Sequence, residues 1–511
     1  MSTAPIPAQS LVGVIGAGAM GAGIAEVALL AGHPVRLLDS HPAALDKALR
    51  DMQRRLHRQA EKGRIKHAEA NAAVERLQST STLADFAEAS LVVEAIIEGL
   101  EAKRALFKSL AEIVRPTCIL ASNTSSLSIT AIAAGIAEPG RVVGMHFFNP
   151  AQVMPLVEVV SGLATEAWIA DATYRIAEAW GKRPVHTKST PGFIVNRVAR
   201  PFYGEALRLV EEAAADPGTL DAVMRETGGF RMGPFELMDL IGLDVNLAVT
   251  KSVFAACNHD PRYAPSLVQQ ELVAAGRLGR KSGRGFFDHT EGAPPPQVQN
   301  EAPASAPNRV GLAGELGIAA PLVERLATVG VDVVKLPAAD SRIGKGYLLA
   351  GNAVIALTDG RSATRRARES EHPNTILFDL AHDFAQAKRL AVARSDQCAN
   401  GAYQTALGLL QVAGFAVSRL DDAPGLVVMR TVAMLANEAA ELLQRGVASA
   451  RDLDLAMQLG TNYPEGPLAW ARRIGLAEVR EVLANLATHY SEDRYRVAPW
   501  ITRKLLGGAE F

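Results

Sequence analysis

The sequence predicts an α/β fold joined to all-α domains, with each part present twice. Three observations carry this reading. Short β-rich runs alternate with helical patterns from Leu11 to Phe148, helical periodicity takes over after Thr165, and a constant shift of 233 residues brings the helical part back near the C-terminus.

In chain order the β-rich runs are LVGVIG, VRLLD, LVVEAI, CILASN and RVVGMHFF, each separated by a candidate helix. Such alternation predicts a parallel sheet with helices on both faces. Past Thr165 only PVHTK reads as a strand, and Ile194 to Leu247 reads as successive helices, including a long amphipathic one through Arg197, Leu207 and Val210. TEGAPPPQVQNEAPASAPN, Thr290 to Asn308, has the Pro/Ala composition of a solvated, semi-rigid linker. Beyond it, RVGLAGELGIAAPLVERLATVGVDVVKL reads strand, helix, strand, a shortened copy of the first domain. PGFIVNR (Pro191 to Arg197) then overlays PGLVVMR (Pro424 to Arg430). The same shift carries Glu205 to Glu438, Asp221 to Asp454, Gly233-Pro234 to Gly466-Pro467, and IGL at Ile241 to IGL at Ile474. The expected division is 1–189, 190–289, linker 290–308, 309–422 and 423–511.

Composition excludes several classes. Of 511 residues, 21% are charged and 48% hydrophobic, and the formal net charge is -1, so neither disorder nor a nucleic-acid partner is suggested. Cys118, Cys257 and Cys398 form no CxxC pair, which argues against a disulfide framework and a zinc or other metal site and fits a reducing cytoplasm. The N-terminal MSTAPIPAQS lacks the basic and apolar regions of a secretory leader. Val12 to Ala31 is apolar enough to imitate a membrane span, but its five glycines and Glu26 point to another use, and no membrane segment is expected.

That other use is nucleotide binding. Gly16-Ala17-Gly18-Ala19-Met20-Gly21 follows the apolar strand Leu11 to Ile15 and opens a helix. In a Rossmann-type turn the first glycine makes the tight bend, the second lets backbone approach a pyrophosphate, and the third allows close helix packing. Asp39 ends the next strand, about twenty residues on, where a carboxylate takes ribose hydroxyls and repels a 2′-phosphate. The expected cofactor is NAD. In the shortened copy Gly311, Gly314 and Gly317 have the wrong spacing and the following strand ends in Val334-Lys335, so no dinucleotide is expected there.

Two polar groups stand out in VVGMHFFNPAQVMPLVEVV, His146 and Glu158. Hydride transfer from an alcohol needs a base for the hydroxyl proton, and a neutral imidazole suits the task if a carboxylate fixes its tautomer. His146 and Ser125 each lie at or just after the end of a predicted strand, where ligands of such sheets bind. A packed core histidine explains the same residues, and the stretch itself decides nothing.

ASNTSSLSI (Ala121 to Ile129), GMHFFNP (Gly144 to Pro150), PLVEVV (Pro155 to Val160), TPGFIVNR (Thr190 to Arg197), MGPFELMDLIGLD (Met232 to Asp244) and GRKSGRGFF (Gly279 to Phe287) together resemble the 3-hydroxyacyl-CoA dehydrogenase family over residues 10–290. The long chain with a degenerate second half is similar to the family's long bacterial form, associated with phenylacetate degradation and 3-hydroxyadipyl-CoA. The resemblance implies that His146 is the base, Glu158 its orienting partner, and Ser125 and Asn196 the residues that hold the substrate oxygen and position the histidine. It implies cofactor contacts from Glu98, Lys103, Asn149 and Lys281. It also implies a helical arm that meets CoA in the basic run MQRRLHRQAEKGRIK, with Arg55 and above all Lys62 facing its phosphates, although such runs are often only a solvated helix face.

The expectation is therefore NAD-dependent oxidation of an (S)-3-hydroxyacyl-CoA, with 3-hydroxyadipyl-CoA or 3-hydroxybutyryl-CoA as substrate, in aromatic or fatty acid catabolism. A dehydrogenase of a free hydroxy acid such as L-gulonate and a non-catalytic dinucleotide-binding protein are the alternatives. In the second half Met429 stands at the position of Asn196, and the shift takes His146 to the region of Asp379, so that half is expected to be inert. The second helical copy is expected to pack on the first as an internal pseudo-dimer, in a monomer or a homodimer.

Overall fold

Four consecutive apolar residues suit a strand covered on both faces, and Val12–Ile15 forms such a strand, β1, wholly buried. The computed structural model describes residues 6–7, 9–337 and 339–508. Residues 1–5 and 8, part of the stretch read as lacking a leader, lie outside the described residues. The chain divides into two compact units: Met1–Arg197 with Arg445–Thr461, and Val198–Gln444 with Asn462–Phe511. Residues 445–461 thus sit with the first unit, which a division in strict chain order does not anticipate.

In the first unit β1 is followed by β2 (Val35–Leu38), β3 (Leu77–Thr80), β4 (Leu91–Glu94), β5 (Ile119–Ser122), β6 (Val142–Phe147), β7 (Leu156–Ser161) and β8 (Arg183–Lys188). The sheet order is β3-β2-β1-β4-β5-β6-β7-β8. β1 to β6 are parallel, but β7 runs antiparallel to β6 and β8 parallel to β7, so the sheet is mixed where a parallel one is predicted. Alternate residues feed two cores: Val12, Val14, Leu91, Val93, Val143 and Met145 join one cluster, and Ile15, Val92, Leu120 and Val142 the other. Order reverses between β1 and β4, the switch point where such sheets bind ligands.

The second unit carries β9 (Arg309–Gly314), β10 (Asp332–Lys335), β11 (Gly346–Ala350), β12 (Ala353–Leu357), β13 (Thr375–Phe378), β14 (Arg389–Arg394) and β15 (Ala416–Arg419), in the order β10-β9-β11-β12-β13-β14-β15. β11 occupies the place of β4 but runs antiparallel to both neighbours. The segment 290–308 is not free of the fold. It is a strap tied by Gln299 N–H to Thr219 Oγ1 (2.9 Å), Glu301 N–H to the Val417 carbonyl (2.8 Å) and Ala304 N–H to Gln411 Oε1 (2.8 Å).

The duplicated helices share a pseudo-twofold within this unit. Helix Val428–Gln444 packs on helix Arg200–Glu211. Glu205 receives Arg494 Nε (3.0 Å) and the Tyr495 hydroxyl (2.9 Å), while Glu438, its counterpart, pairs with Arg262 (3.5 Å) and the Tyr263 hydroxyl. Such reciprocity marks an isologous contact folded into one chain. The predicted long helix through Arg197 is two, Val195–Val198 and Arg200–Glu211, because Pro201 supplies no N–H to a continuous ladder. At the shifted position stands Met434, and that helix is unbroken.

The copies also trade one helix. Ala450–Thr461 lies on β7 and β8 in the first unit, while its counterpart Pro217–Glu226 lies on β14 in the second. Even a hydrogen bond is repeated: Lys188 N–H to the Val447 carbonyl (2.9 Å) and Asp421 N–H to the Ala214 carbonyl (2.9 Å). No described helix is long and apolar enough to cross a membrane.

Candidate active site

The antiparallel turn from β6 to β7 sets His146 directly opposite Glu158. His146 Nδ1 lies 2.6 Å from Glu158 Oε2, with the histidine 5% exposed and the glutamate fully buried. The other carboxylate oxygen, Oε1, accepts the N–H groups of Ile194 (3.1 Å) and Val195 (2.9 Å), at the start of helix Val195–Val198. Glu158 therefore joins the sheet, the histidine and the helix that carries Asn196. A proton on Nδ1 donated to the carboxylate leaves Nε2 as the acceptor. The rings of Phe148 (4.6 Å between centroids) and Phe193 (5.9 Å) wall the imidazole.

Asn196 Nδ2 donates to the Ser125 carbonyl at 3.3 Å, which brings the helix start to the loop after β5. That loop is gathered on one oxygen. Glu98 Oε1 accepts Thr124 Oγ1 (2.6 Å), Ser125 N–H (2.9 Å), Ser125 Oγ (3.3 Å) and Ser126 N–H (3.2 Å). Shielding from water pushes the Glu98 carboxyl up, but the Thr124 hydrogen bond and the Lys103 charge more than offset it and hold it below the usual range.

Lys103 differs from its expected part. It is 1% exposed, with Nζ 2.5 Å from Glu94 Oε1 and 3.3 Å from Glu98 Oε2. A cation so enclosed holds two carboxylates and is not a surface for cofactor. Sequence reading missed Glu94. It ends β4 fully buried and also accepts Ser122 Oγ at 2.6 Å from the end of β5. Its signal was an acid closing an apolar strand, nine residues before a lysine at the start of a helical pattern.

The glycine turn fits a dinucleotide. Gly16 has φ +103°, and a Cβ there would meet the Ala95 carbonyl at 2.4 Å. A Cβ on Gly21 would stand 1.8 Å from the Gly16 carbonyl oxygen, whereas one on Gly18 would meet nothing within 4 Å. The first and third glycines are required by packing and the second fronts open space, at the N-cap of helix Ala19–Leu30. Ala17 N–H bonds Asp39 Oδ2 at 2.7 Å, tying the turn to the end of β2. Asn149 is exposed after β6. Lys281 is in the second unit, where its Nζ lies 2.7 Å from Asp244 Oδ2.

In the basic helix Pro42–Glu61, Arg55 is already engaged. Its Nε lies 2.8 Å from Oε2 of the buried Glu26, whose other oxygen takes Gln59. Lys62, at the helix C-cap, is exposed and lines a cavity with Arg58, Arg64 and Lys182.

In the second half Asp379 takes the place of His146 and Ala391 that of Glu158. Asp379 alone accepts the N–H groups of Val427 (2.9 Å), Val428 (2.7 Å) and Met429 (3.0 Å), the job that Glu158 does in the first half. The pair has collapsed into one helix-capping acid. Burial pushes its carboxyl up to about 6.

A dinucleotide turn at a topological switch point, with a histidine–carboxylate pair on a neighbouring strand, describes the class of NAD-dependent dehydrogenases. Comparisons with known proteins narrow the class. The family model for the 3-hydroxyacyl-CoA dehydrogenase NAD binding domain matches residues 11–190, and that for the C-terminal domain matches 192–289 and again 425–509. A reduced Rossmann-fold domain of 3-hydroxybutyryl-CoA dehydrogenase matches 355–424. A 3-hydroxyadipyl-CoA dehydrogenase of Escherichia coli (strain K12) is 43% identical over 498 residues, 97% of each chain. A probable 3-hydroxybutyryl-CoA dehydrogenase of Bacillus subtilis (strain 168) is 44% identical over 278 residues, covering 54% of this chain and 96% of its own. The crystal structure of a 3-hydroxybutyryl-CoA dehydrogenase from Escherichia coli K12 superposes with a TM-score of 0.88 at 42% identity, over 98% of this chain and 99% of that one. The chain belongs to the 3-hydroxyacyl-CoA dehydrogenase family, and its reaction is the NAD-dependent oxidation of a 3-hydroxyacyl-CoA.

Proposed function

We propose that His146 is the catalytic base of this oxidation and that the substrate is a short 3-hydroxyacyl-CoA, 3-hydroxyadipyl-CoA ahead of 3-hydroxybutyryl-CoA. The observation that carries the reading is the 2.6 Å bond from His146 Nδ1 to a buried carboxylate that is itself fixed by two backbone N–H groups. Bound NAD supplies the hydride acceptor. His146 Nε2 takes the proton of the C3 hydroxyl as hydride leaves, and Glu158 stabilises the imidazolium that forms. In reduction the same nitrogen returns the proton. Ser125 and Asn196 hold the substrate oxygen beside it. Gly16 to Gly21, Asp39, Glu98, Asn149 and Lys281 serve the cofactor, with Lys103 positioning Glu98 from behind.

Lys62 meets the CoA phosphates, and Arg55 supports that arm through Glu26. The adipyl preference rests on the relative of matching length, which is named for that substrate. We further read the protein as cytoplasmic, either a monomer with an internal pseudo-dimer of its helical copies or a homodimer, acting in aromatic or fatty acid catabolism. The test is NADH formation with 3-hydroxyadipyl-CoA and 3-hydroxybutyryl-CoA. His146→Ala should lower kcat by about 1,000-fold or more with NADH binding retained. A variant within tenfold of wild type would dismiss His146 as the base.

A further inference from the structure

Four polar side chains behind the reacting centre are withdrawn from water. Glu94 and Ser122 are fully buried, and Lys103 and Thr124 are each 1% exposed. Burying a carboxylate and an ammonium gains little for a fold, since an apolar pair of similar volume packs as well. The second sheet does without them. β11, which stands in the place of β4, runs the other way, and β12, in the place of β5, is AVIAL with no hydroxyl. A sheet of this build therefore closes without such a group, and the first sheet keeps it for another purpose.

The hydrogen bonds of these residues form a closed ring that starts from Glu94. Its Oε1 accepts the Ile96 N–H (2.8 Å) and Lys103 Nζ (2.5 Å), and the lysine reaches on to Glu98 Oε2 (3.3 Å). Its Oε2 accepts Ser122 Oγ (2.6 Å), Ser122 Oγ accepts the Thr124 N–H (3.2 Å), and the Thr124 hydroxyl donates to Glu98 Oε1 (2.6 Å). Both arms end on Glu98, the residue that gathers Ser125 and Ser126. The ammonium stands closer to Glu94 than to Glu98, so Glu94 decides where it sits.

Two further bonds lead from this loop to the chemistry. Asn196 Nδ2 donates to the Ser125 carbonyl (3.3 Å), and the N–H of Phe147, next in the chain to His146, donates to Asn123 Oδ1 (2.8 Å). The loop that Glu94 anchors is thus tied both to the helix start and to the strand of the histidine.

We propose that Glu94 is a positioning residue for the oxidation: it fixes Glu98 from two sides and thereby sets where the Ser125 hydroxyl stands relative to His146. This rests on the proposed roles of His146 and Ser125 and extends them to a residue buried too deeply to touch substrate. A hydroxyl held in place beforehand needs no ordering during the reaction, and a displacement of about 1 Å costs about 100-fold in rate.

The test uses Glu94→Gln, which keeps the shape and removes the charge, and Ser122→Ala, which cuts the hydroxyl arm and leaves every charge paired. Glu94→Gln should lower kcat for 3-hydroxybutyryl-CoA by about 100-fold and Ser122→Ala by about tenfold. In both, the dissociation constant of NADH, read from its fluorescence, should stay within about threefold of wild type. Glu94→Gln leaves Lys103 buried with only Glu98 to answer it, so Glu94→Gln/Lys103→Met, which removes both charges, is the control for folding. It should melt near wild type and stay as slow as the single variant. If the single variant does not fold, the double variant and Ser122→Ala decide alone. A kcat within about threefold of wild type in Glu94→Gln or in the double variant overturns the proposal, as does a loss seen only in melting temperature or NADH affinity. A His146→Ala enzyme as active as wild type would instead remove the reading of the reaction on which this rests, whatever the Glu94 variants do.

Discussion

At the scale of single residues, Glu158 has two jobs that substitution can separate. One oxygen orients His146 and the other caps the helix that begins at Val195. Glu158→Gln keeps an acceptor for the two N–H groups but loses the charge that favours the imidazolium. We expect kcat to fall about 100-fold or more while thermal stability stays close to wild type. Glu158→Ala should lose both, with a further cost of about 1–3 kcal/mol in stability from the orphaned N–H groups. Steady-state kinetics beside thermal melts of the two variants separate the jobs, and equal melting points for Gln and Ala would refute the capping role. His146 and Glu158 could be found in sequence as a polar pair in an apolar stretch. The network behind them could not, because Ser122, Glu94 and Lys103 meet only when β4, β5 and the helix Leu100–Ile113 are assembled.

Elements whose residues carry a local pattern were the readable ones. β1, β2 and β4 to β6 are short apolar runs, and each matches a run singled out in the sequence. β3 is LQST, an edge strand with two exposed polar residues, and gives no such signal. The reversal of β11 is equally silent, since strand direction is fixed by the connections that survive in the shortened copy. Helix starts carry their own chemistry. Asp221 caps helix Pro234–Ile241 through the N–H groups of Phe235 (3.0 Å) and Glu236 (2.8 Å). Burial pushes its carboxyl up to about 7, outweighing those two bonds. The folded protein therefore holds a proton here that the unfolded chain releases near pH 4. Asp221 should lower stability as pH rises between about 4 and 7, by up to ~1.4 kcal/mol per unit, and add no further slope above that. Asp221→Asn, neutral throughout, should lose this part of the slope. Urea unfolding of both proteins at about pH 5 and about pH 7.5 measures it, and parallel slopes would exclude Asp221 as the source.

At the scale of the molecule, the exchanged helices make each half dependent on the other. A chain ending at residue 289 keeps His146, Glu158 and Asn196 but lacks Ala450–Thr461, which covers β7 and β8. Its own Pro217–Glu226, the counterpart of that helix, could cover the same strands of a second copy. We expect such a fragment to be a homodimer by light scattering. A monomeric, folded fragment would show that the exchange contributes little. None of this was legible locally, since Lys188 and Val447 meet from distant parts of the chain. The same exchange sets a timetable for the nascent protein. Strands β7 and β8 leave the ribosome early, but their cover has not been translated until Thr461 is added. At about 10 residues per second that is a wait of roughly half a minute, during which an apolar sheet face stands open to chaperones and to neighbouring chains on the same messenger. The carboxyl-terminal half thus governs when the amino-terminal half can finish folding.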